Sequence, residues 1–185
     1  MKLQQQKTVT VFGSSRPQEG GPEYQQAYEL GKEIAQAGYI LCNGGFGGTM
    51  EASARGAKDA GGQTVGVITG VFGKTSANPW IDRVEMKATL IERMMRLVEI
   101  GDAYVILKGG TGTLLELAAV WELMNKGLMS EKPIVALGGF WNGVVHTLKE
   151  ELAWEGKEDC TRFVTLAATP TECVKTIKNK LQVSK

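Results

Sequence analysis

The most informative segment of the sequence is Lys108-Gly-Gly-Thr-Gly-Thr-Leu-Leu-Glu116. It follows an apolar, strand-like run, Ala103 to Leu107, and it opens a long helical pattern. Glycines at such a corner let the backbone approach a ligand closely, and the N–H groups at the start of a helix carry partial positive charge. The corner therefore predicts a site for an anion such as a phosphate.

Glu116, one turn into this helix, has two interpretations. A carboxylate aimed at the corner would repel a bound phosphate, so we expect it to face a neutral group or a group that develops positive charge. Alternatively, Thr113-Leu-Leu-Glu116 has the pattern of a capping box, in which the two polar side chains satisfy backbone donors at the helix start. A capping box accepts Gln as well as Glu, whereas a catalytic carboxylate does not.

Outward from this corner, strand-like runs alternate with helical patterns. The strand-like runs are Thr8 to Phe12, Tyr39 to Cys42, Thr64 to Ile68, a weak one near Arg83 to Glu85, Ala103 to Leu107, Pro133 to Leu137, and Phe163 to Leu166. The helical patterns are Pro22 to Ala37, Thr49 to Ala60, Ala88 to Ile100, Gly112 to Asn125, Trp141 to Trp154, and Pro170 to Leu181. Continuous apolar strands indicate a parallel sheet covered on both faces, and right-handed crossovers predict a doubly wound α/β fold.

Two further small-residue corners follow the first two strands, at Gly13-Ser14-Ser15 and at Asn43-Gly-Gly-Phe-Gly-Gly48. The carboxyl ends of parallel strands meet at one edge of the sheet, so all three corners are expected to converge on one crevice. Neither glycine-rich corner completes the dinucleotide fingerprint, because Leu115 and Met50 occupy the position of its last glycine. A standard NAD site is therefore disfavoured.

The totals exclude several classes of protein. A chain of 185 residues, 43% hydrophobic and 22% charged, is long enough for one well-cored domain and short for two, so we expect a single domain over residues 1–185. The formal net charge of +1 gives no basis for broad binding of nucleic acid or of an anionic membrane. The three cysteines are odd in number and lack paired spacing, which disfavours a disulfide framework or a zinc knuckle.

The expected location is the cytoplasm. The opening residues, Met1 to Lys7, contain no apolar signal core, and no later run approaches the length that spans a membrane. No cluster of metal ligands is visible in the sequence, and no lysine is marked out to bind pyridoxal phosphate. We therefore expect a soluble protein with no metal and no cofactor.

The helical pattern Leu90 to Glu99 carries Arg93 at the edge of its apolar stripe. On the opposite side, Arg96 is expected to pair with Glu92 and Glu99 in a solvated cluster. Arg93 is instead positioned to run its stem along the sheet and to bring its guanidinium to the ligand edge. An arginine that merely lines the boundary of the core is the open alternative.

Three other conspicuous side chains receive no chemical role. His146 lies in an ordinary amphipathic helix without a partner that would suggest a triad. Cys42 ends a buried strand and is expected to be a small core residue rather than a nucleophile. Trp80, in the long loop after the third strand, could stack on a base or simply anchor the loop by packing.

Together the glycine corners and the arginine-bearing helix resemble the Lonely Guy family, often mislabelled as lysine decarboxylases, whose members are similar to nucleoside 5′-monophosphate phosphoribohydrolases. The family signature Pro-Gly-Gly-x-Gly-Thr-x-x-Glu corresponds here to Lys108–Glu116. Leu90-Ile-Glu-Arg-Met94 stands where the family carries Met-His-x-Arg-Lys. Val11–Ser15 and Asn43-Gly-Gly also look like the family's opening segments, so the resemblance runs from about residue 8 to about residue 137.

The resemblance implies a Rossmann-like fold, a homodimer, and hydrolysis of the N-glycosidic bond of a nucleoside 5′-monophosphate. It implies Arg93 and Glu116 as the catalytic pair. Arg93 is always charged, so it would orient Glu116 and the substrate rather than donate a proton. The implied phosphate- and nucleotide-binding residues are Gly13, Ser14, Ser15, Gly44, Gly45, Gly109, Gly110, Thr111, Gly112 and Thr113.

Four positions depart from the family pattern. Lys108 replaces its Pro, Ile91 its His and Met94 its Lys, and Leu115 stands where many members have a first Glu. The surroundings of the ligand have therefore changed more than the catalytic pair. This leaves open a second hypothesis, a carrier similar to the related molybdenum-cofactor carrier proteins, which look like this fold used for binding rather than hydrolysis.

Overall fold

The computed structural model describes residues 6–73 and 76–183; residues 1–5, part of the segment used above to judge an N-terminal signal, lie outside this range. Seven strands form one sheet: β1 Thr8–Phe12, β2 Ile40–Asn43, β3 Thr64–Thr69, β4 Arg83–Lys87, β5 Ala103–Ile106, β6 Ile134–Leu137 and β7 Val164–Ala167. Six α-helices connect and flank them: α1 Pro22–Gln36, α2 Thr49–Asp59, α3 Leu90–Ile100, α4 Thr111–Asn125, α5 Asn142–Trp154 and α6 Pro170–Val183.

All strand pairs are parallel, and the strand order is β4-β3-β2-β1-β5-β6-β7. The chain winds from β1 outward to β4 on one side, then crosses over through α3 to β5 and winds outward to β7 on the other. The order reverses between β1 and β5, and this reversal opens a crevice beyond the carboxyl ends of those two strands. The predicted doubly wound parallel sheet is confirmed.

Apolar side chains cover both faces of the sheet. One core cluster joins the strands to α1, α2 and α6, and the other joins them to α3, α4 and α5. Alternate residues of β5 point to opposite sides, since Val105 belongs to the first cluster and Tyr104 and Ile106 to the second. Burial on both faces explains why these strands read as continuous apolar runs.

Of the two ion pairs predicted for Arg96 on the surface of α3, only the pair with Glu99 is present. Arg96 does pair with Glu99, at 3.3 Å, but its shorter contact is to Glu85 on β4, at 2.7 Å. Glu92 forms a capping box with Thr89 instead, because each side chain accepts a hydrogen bond from the other's backbone N–H. The sequence pattern missed Glu85 because only the fold brings β4 beside α3.

α1 and α2 pack together through glycine. A Cβ built on Gly31 would lie 1.9 Å from the carbonyl oxygen of Ser53, and one built on Gly56 would lie 2.0 Å from the carbonyl oxygen of Tyr28. Both contacts are with backbone atoms, which cannot rotate out of the way. The two helices therefore approach at a distance that no larger residue permits at these positions.

We expect Gly31→Ala to destabilise the protein by roughly 1 to 3 kcal/mol, because the added methyl group must push α2 away from α1. Gly143→Ala is the matched control: Gly143 also lies within a helix, but a Cβ there meets nothing within 4 Å. That substitution should stabilise slightly or do nothing. Urea unfolding of both variants measures the difference, and equal effects would show that the glycine contact does not set the helix spacing.

Within the described range, no helix is both long and apolar enough to cross a membrane.

Candidate functional site

A cleft of about 610 Å³ opens at the carboxyl edge of the sheet, where the strand order reverses. The loop after β1, the glycine corner after β2, and the starts of α3 and α4 all contribute to its wall. The lining residues are Val11, Phe12, Gly13, Ser14, Ser15, Arg16, Gly44, Phe46, Met50, Phe72, Leu90, Arg93, Met94, Gly110, Thr111, Gly112, Thr113, Leu115 and Glu116. The three corners predicted to converge do meet here.

Arg93 lies in the floor of the cleft, and its side chain is only 7% exposed. Its Nε donates to the carbonyl oxygen of Val67 at 2.8 Å, and its Nη2 donates to that of Gly44 at 3.1 Å. The guanidinium also lies over the ring of Phe46, 5.6 Å from the ring centre. These contacts fix the fork of the guanidinium and join α3 to β3 and to the glycine corner.

Glu116 faces Arg93 across the cleft floor. Its Oε1 lies 3.9 Å from Arg93 Nη1, and its side chain is 15% exposed. Burial raises the pKa of Glu116 to about 7, and the opposing attraction of the Arg93 guanidinium does not cancel that rise. For Arg93, burial lowers the pKa, and the Glu116 charge counters the shift.

This spacing has a chemical consequence. At 3.9 Å the two groups attract each other as charges, but they are too far apart for a direct hydrogen bond. No hydrogen-bond donor within residues 6–73 and 76–183 occupies the carboxylate oxygens of Glu116. A carboxyl group that titrates near neutrality is suited to act as a general base, and here its oxygens stay available to a ligand or a water molecule.

The capping-box interpretation of Glu116 is wrong. α4 begins at Thr111 with Gly110 as its N-cap residue, and no side chain caps it. Thr113 therefore lies inside the first turn, where it is buried and packs over Gly109. Glu116 is further along the helix, at a position that leaves its carboxylate facing Arg93 rather than the helix start.

The N-terminus of α4 opens into the cleft. Its first three backbone N–H groups belong to Thr111, Gly112 and Thr113, and none of them has a hydrogen-bond acceptor in the described part of the chain. Such groups form an anion-binding end of a helix, reinforced by the helix dipole. The N-terminus of α2 is different, because Thr49 donates both its N–H and its hydroxyl group to the carbonyl oxygen of Ser14.

The ten residues predicted to bind the phosphate or the nucleotide separate into two groups. Most of them line the cleft, namely Gly13, Ser14, Ser15, Gly44, Gly110, Thr111, Gly112 and Thr113. Gly45 instead packs in the interior against Ile68, and Gly109 lies beneath Thr113. These two glycines allow close packing behind the site rather than facing a ligand.

Sequence reasoning missed three side chains in the cleft wall, Arg16, Phe46 and Phe72. The rings of Phe46 and Phe72 meet edge to face, with their centres 5.9 Å apart. Trp80, the aromatic residue considered above, instead packs against the core, and the Arg55 guanidinium lies 5.5 Å from its ring centre. Phe72 lies three residues after the end of β3, and that position near the carboxyl edge of the sheet was the signal that could have identified it.

The remaining candidates have structural surroundings. Cys42 is fully buried, and burial raises the pKa of its thiol to about 12, so it is not a nucleophile at neutral pH. His146 is exposed on α5 and contacts Glu150 one turn away. Within the described ranges, no group of three or more His, Cys, Asp or Glu residues is arranged to hold a metal ion.

Comparison with known proteins places this chain in a family. It matches the SLOG cluster4 family over residues 6–174. The chain belongs to that family. The chain is also 34% identical over 134 residues to the cytokinin riboside 5′-monophosphate phosphoribohydrolase of Rhodococcoides fascians. The match covers 71% of this chain and 67% of that protein.

Two more relatives have similar identity. The Mycobacterium tuberculosis protein with the same name as the R. fascians protein is 35% identical over 130 residues, covering 69% of this chain and 68% of that protein. An uncharacterized protein of Archaeoglobus fulgidus is 36% identical over 139 residues, covering 75% and 87%. The predicted resemblance to the Lonely Guy phosphoribohydrolases is confirmed.

Solved structures share the fold. The molybdenum cofactor binding protein of Rippkaea orientalis superposes with a TM-score of 0.74 at 25% identity, covering 95% of this SLOG cluster4 chain and 98% of that one. The molybdenum cofactor carrier protein of Chlamydomonas reinhardtii gives a TM-score of 0.73 at 25% identity, covering 96% and 99%. The predicted Rossmann-like fold is therefore confirmed.

Proposed function

We propose that this protein hydrolyses the N-glycosidic bond of a nucleoside 5′-monophosphate and releases ribose 5-phosphate and a free base. The observation that carries the proposal is the buried pair of Arg93 and Glu116, 3.9 Å apart, in a cleft that also receives the open N-terminus of α4. The names of the R. fascians and M. tuberculosis relatives agree with this activity.

Each part of the cleft has a role in the proposed reaction. The phosphate binds the free backbone N–H groups of Thr111 to Thr113, close to Ser14 and Ser15. Glu116, as a carboxylate, stabilises the positive charge that develops on the sugar and accepts a proton from the attacking water. The water oxygen bonds to C1′ as the C1′–N bond breaks, and the departing nitrogen takes a proton from solvent.

Arg93 is a positioning residue in this scheme. Its guanidinium is held by two backbone carbonyl oxygens, so it fixes the position of the Glu116 carboxylate and moderates the rise in its pKa. The ring of Phe72, which is 52% exposed in the cleft wall, offers an aromatic surface on which a base can stack, whereas Phe46 is buried and faces the Arg93 guanidinium. Stacking accepts any aromatic base, which agrees with a site that selects on the ribose phosphate.

The test is product formation from a panel of nucleoside 5′-monophosphates. We expect the purified protein to release free base and ribose 5-phosphate in equal amounts from at least one member of the panel. The corresponding nucleosides should react poorly, because they lack the group that binds the start of α4. Absence of turnover across the whole panel would contradict the proposal.

A carrier of a phosphorylated ligand such as the molybdenum cofactor is the second candidate. The observation that favours it is the likeness to two solved proteins named for that cofactor, at 25% identity over at least 95% of this chain. In that case the same helix N-terminus holds the pterin phosphate and Glu116 has no catalytic role. Tight retention of the pterin without turnover of any nucleotide would favour the carrier.

We also propose that the protein forms a homodimer through the surface beside the cleft. Leu90 and Ile91 at the start of α3 are 39% and 56% exposed, and Leu114 and Leu115 at the start of α4 are 38% and 42% exposed. Leu90 and Leu115 line one cleft, so these apolar side chains lie on neighbouring helix starts. Exposed apolar patches of this kind mark protein interfaces, and two copies of one patch can pair about a two-fold axis.

The dimer is tested by measuring the mass of the protein in solution. Sedimentation should give twice the chain mass of 20.0 kDa. Ile91→Asp, which places a charge in the patch but not in the cleft wall, should shift the mass toward the monomer. A wild-type monomer at micromolar concentration would contradict the proposal.

A further inference from the structure

Arg16 differs from the other arginines of the chain. The sequence contains six arginines, and all of them lie in the described part of the structure. Five have a carboxylate within 4.0 Å: Arg55 pairs with Glu19, Arg83 with Glu85, Arg93 with Glu116, Arg96 with Glu85, and Arg162 with Glu131. No described carboxylate lies within that distance of Arg16. Its guanidinium is therefore available to an anion that is not part of the chain.

The backbone on both sides of Arg16 is held in place. Its N–H donates to the hydroxyl oxygen of Ser14, and its carbonyl oxygen accepts from the side chain of Gln18. Ser14 is fixed in turn by the two hydrogen bonds that it receives from Thr49. Gly48 permits this approach, since a Cβ there would lie 2.4 Å from the carbonyl oxygen of Ser14. Hydrogen bonds thus tie the backbone of the loop that carries Arg16 to the start of α2, while the side chain of Arg16 is exposed in the cleft wall.

The register of the sheet brings this loop next to the start of α4. β1 and β5 are adjacent and parallel, with Phe12 opposite Ile106. The segment after β1 leads directly to Arg16, and the segment after β5 leads directly to Thr111. Both residues line the same cleft. An anion in the cleft near β1 and β5 would therefore have backbone N–H groups on one side and the loop of Arg16 on the other.

The charges of the cleft wall agree with a dianionic ligand. Its charged lining side chains are Arg16, Arg93 and Glu116, which give one net positive charge when the carboxyl group is ionised. Arg93 and Glu116 already face each other, so Arg16 is the cation left to balance a phosphate. Arginine suits this task, because its planar fork can bind two phosphate oxygens at once.

We infer that Arg16 binds the phosphate of the ligand beside the N–H groups at the start of α4, and that it is the side chain by which the cleft distinguishes a nucleoside 5′-monophosphate from the corresponding nucleoside. This inference rests on the proposed function for the identity of the ligand. It assigns to Arg16 a role in recognition, separate from the bond-breaking chemistry at Glu116.

Equilibrium binding tests the inference without depending on turnover. AMP, adenosine and ribose 5-phosphate are titrated calorimetrically into the wild type, Arg16→Gln and Arg16→Lys. Arg83→Gln is the control for net charge, because Arg83 is an exposed arginine on β4, outside the cleft wall. Arg16→Gln should weaken AMP and ribose 5-phosphate at least tenfold and leave adenosine unchanged.

The two other variants separate the effect of the guanidinium fork from the effect of net charge. Arg16→Lys should recover part of the lost affinity, because it restores the charge but not the fork, and Arg83→Gln should match the wild type. The AMP affinity of Arg16→Gln should also depend less on salt concentration. Where the wild type turns AMP over, Arg16→Gln should raise KM and leave kcat nearly unchanged.

Failure of this inference can be told apart from failure of the proposed function. Binding of AMP that weakens in Arg16→Gln, without turnover in the wild type, would support Arg16 and contradict the hydrolase. Turnover of AMP by the wild type, with unchanged AMP affinity in Arg16→Gln, would support the hydrolase and contradict the role of Arg16. Equal weakening of AMP and adenosine, or no binding of any phosphorylated compound by the wild type, would overturn the inference.

Discussion

Replacing Glu116 by glutamine should lower kcat for the proposed hydrolysis of a nucleoside 5′-monophosphate by between about 100-fold and about 10,000-fold, the range that general bases contribute. Glutamine keeps the size and shape of the side chain, but it cannot accept a proton from water or stabilise a cationic sugar. Binding of AMP should survive, because the proposed phosphate contacts lie at the start of α4 and at Arg16 and not at Glu116. Initial rates of base release, together with AMP binding by calorimetry, measure the two effects separately.

Glu122→Gln is the matched control for this substitution. Glu122 lies on the same helix, six residues further on, and its side chain is 56% exposed and contacts Lys126. We expect the activity of Glu122→Gln to stay within about twofold of the wild type, since a substitution on the exposed face of α4 should not alter the cleft. Substantial activity in Glu116→Gln would remove this carboxylate from the mechanism.

Glu116→Gln should also become more stable than the wild type as the pH rises. Burial raises the pKa of Glu116 from 4.5 to about 7 in the folded protein, so folding favours its protonated form. That stabilisation is complete below about pH 4.5 and is lost as the pH rises through 7. Glutamine stays neutral and escapes the loss, so its advantage should grow by roughly 2 to 3 kcal/mol between pH 5 and pH 8.

Urea unfolding of the wild type and of Glu116→Gln at several pH values measures this advantage. The comparison isolates Glu116, because all other ionisable groups are common to the two proteins. A difference in unfolding free energy that stays constant from pH 5 to pH 8 would contradict a raised pKa at this position.

Arg93→Met should lower the free energy of unfolding by about 3 kcal/mol or more, the usual effect of removing one partner of a buried charge pair. Methionine fills a similar volume, but it leaves the carbonyl oxygens of Val67 and Gly44 without their side-chain donor. It also removes the charge that faces Glu116, so the pKa of that carboxyl group should rise above 7. Urea unfolding measures the first effect, and carboxyl NMR measures the second.

Arg96→Met provides the comparison on the same helix. Arg96 is more exposed and pairs with Glu85 and Glu99 on the surface, so its loss should cost no more than about 1 kcal/mol. Similar losses of stability in the two variants would mean that the contacts of Arg93 do not join α3 to β3 and to the glycine corner.

The sequence alone predicted the elements of the fold closely. β1 has the predicted bounds, Thr8 to Phe12, because its apolar run ends abruptly at Gly13. β4 was predicted only weakly near Arg83 to Glu85, and it extends to Lys87. As an edge strand with exposed side chains, β4 lacks the continuous apolar run that marks the buried strands of the sheet.

Contacts between distant segments could not be predicted in the same way. Periodicity placed Arg93 at the edge of an apolar stripe, yet its hydrogen-bond partners, Val67 and Gly44, lie 26 and 49 residues away. They become neighbours only through the strand order. Local pattern left a capping box at Thr113 as an equal alternative for Glu116, whereas the N-cap residue of α4 is Gly110, three residues earlier.

In the proposed complex, Arg93 and Glu116 lie beside a sugar whose phosphate is held at the start of α4. A crystal structure of Glu116→Gln with AMP tests it most directly. We expect the phosphate on the backbone N–H groups of Thr111 to Thr113, and C1′ facing the side chains of residues 116 and 93. A phosphate bound elsewhere, or a ribose turned away from residue 116, would contradict it.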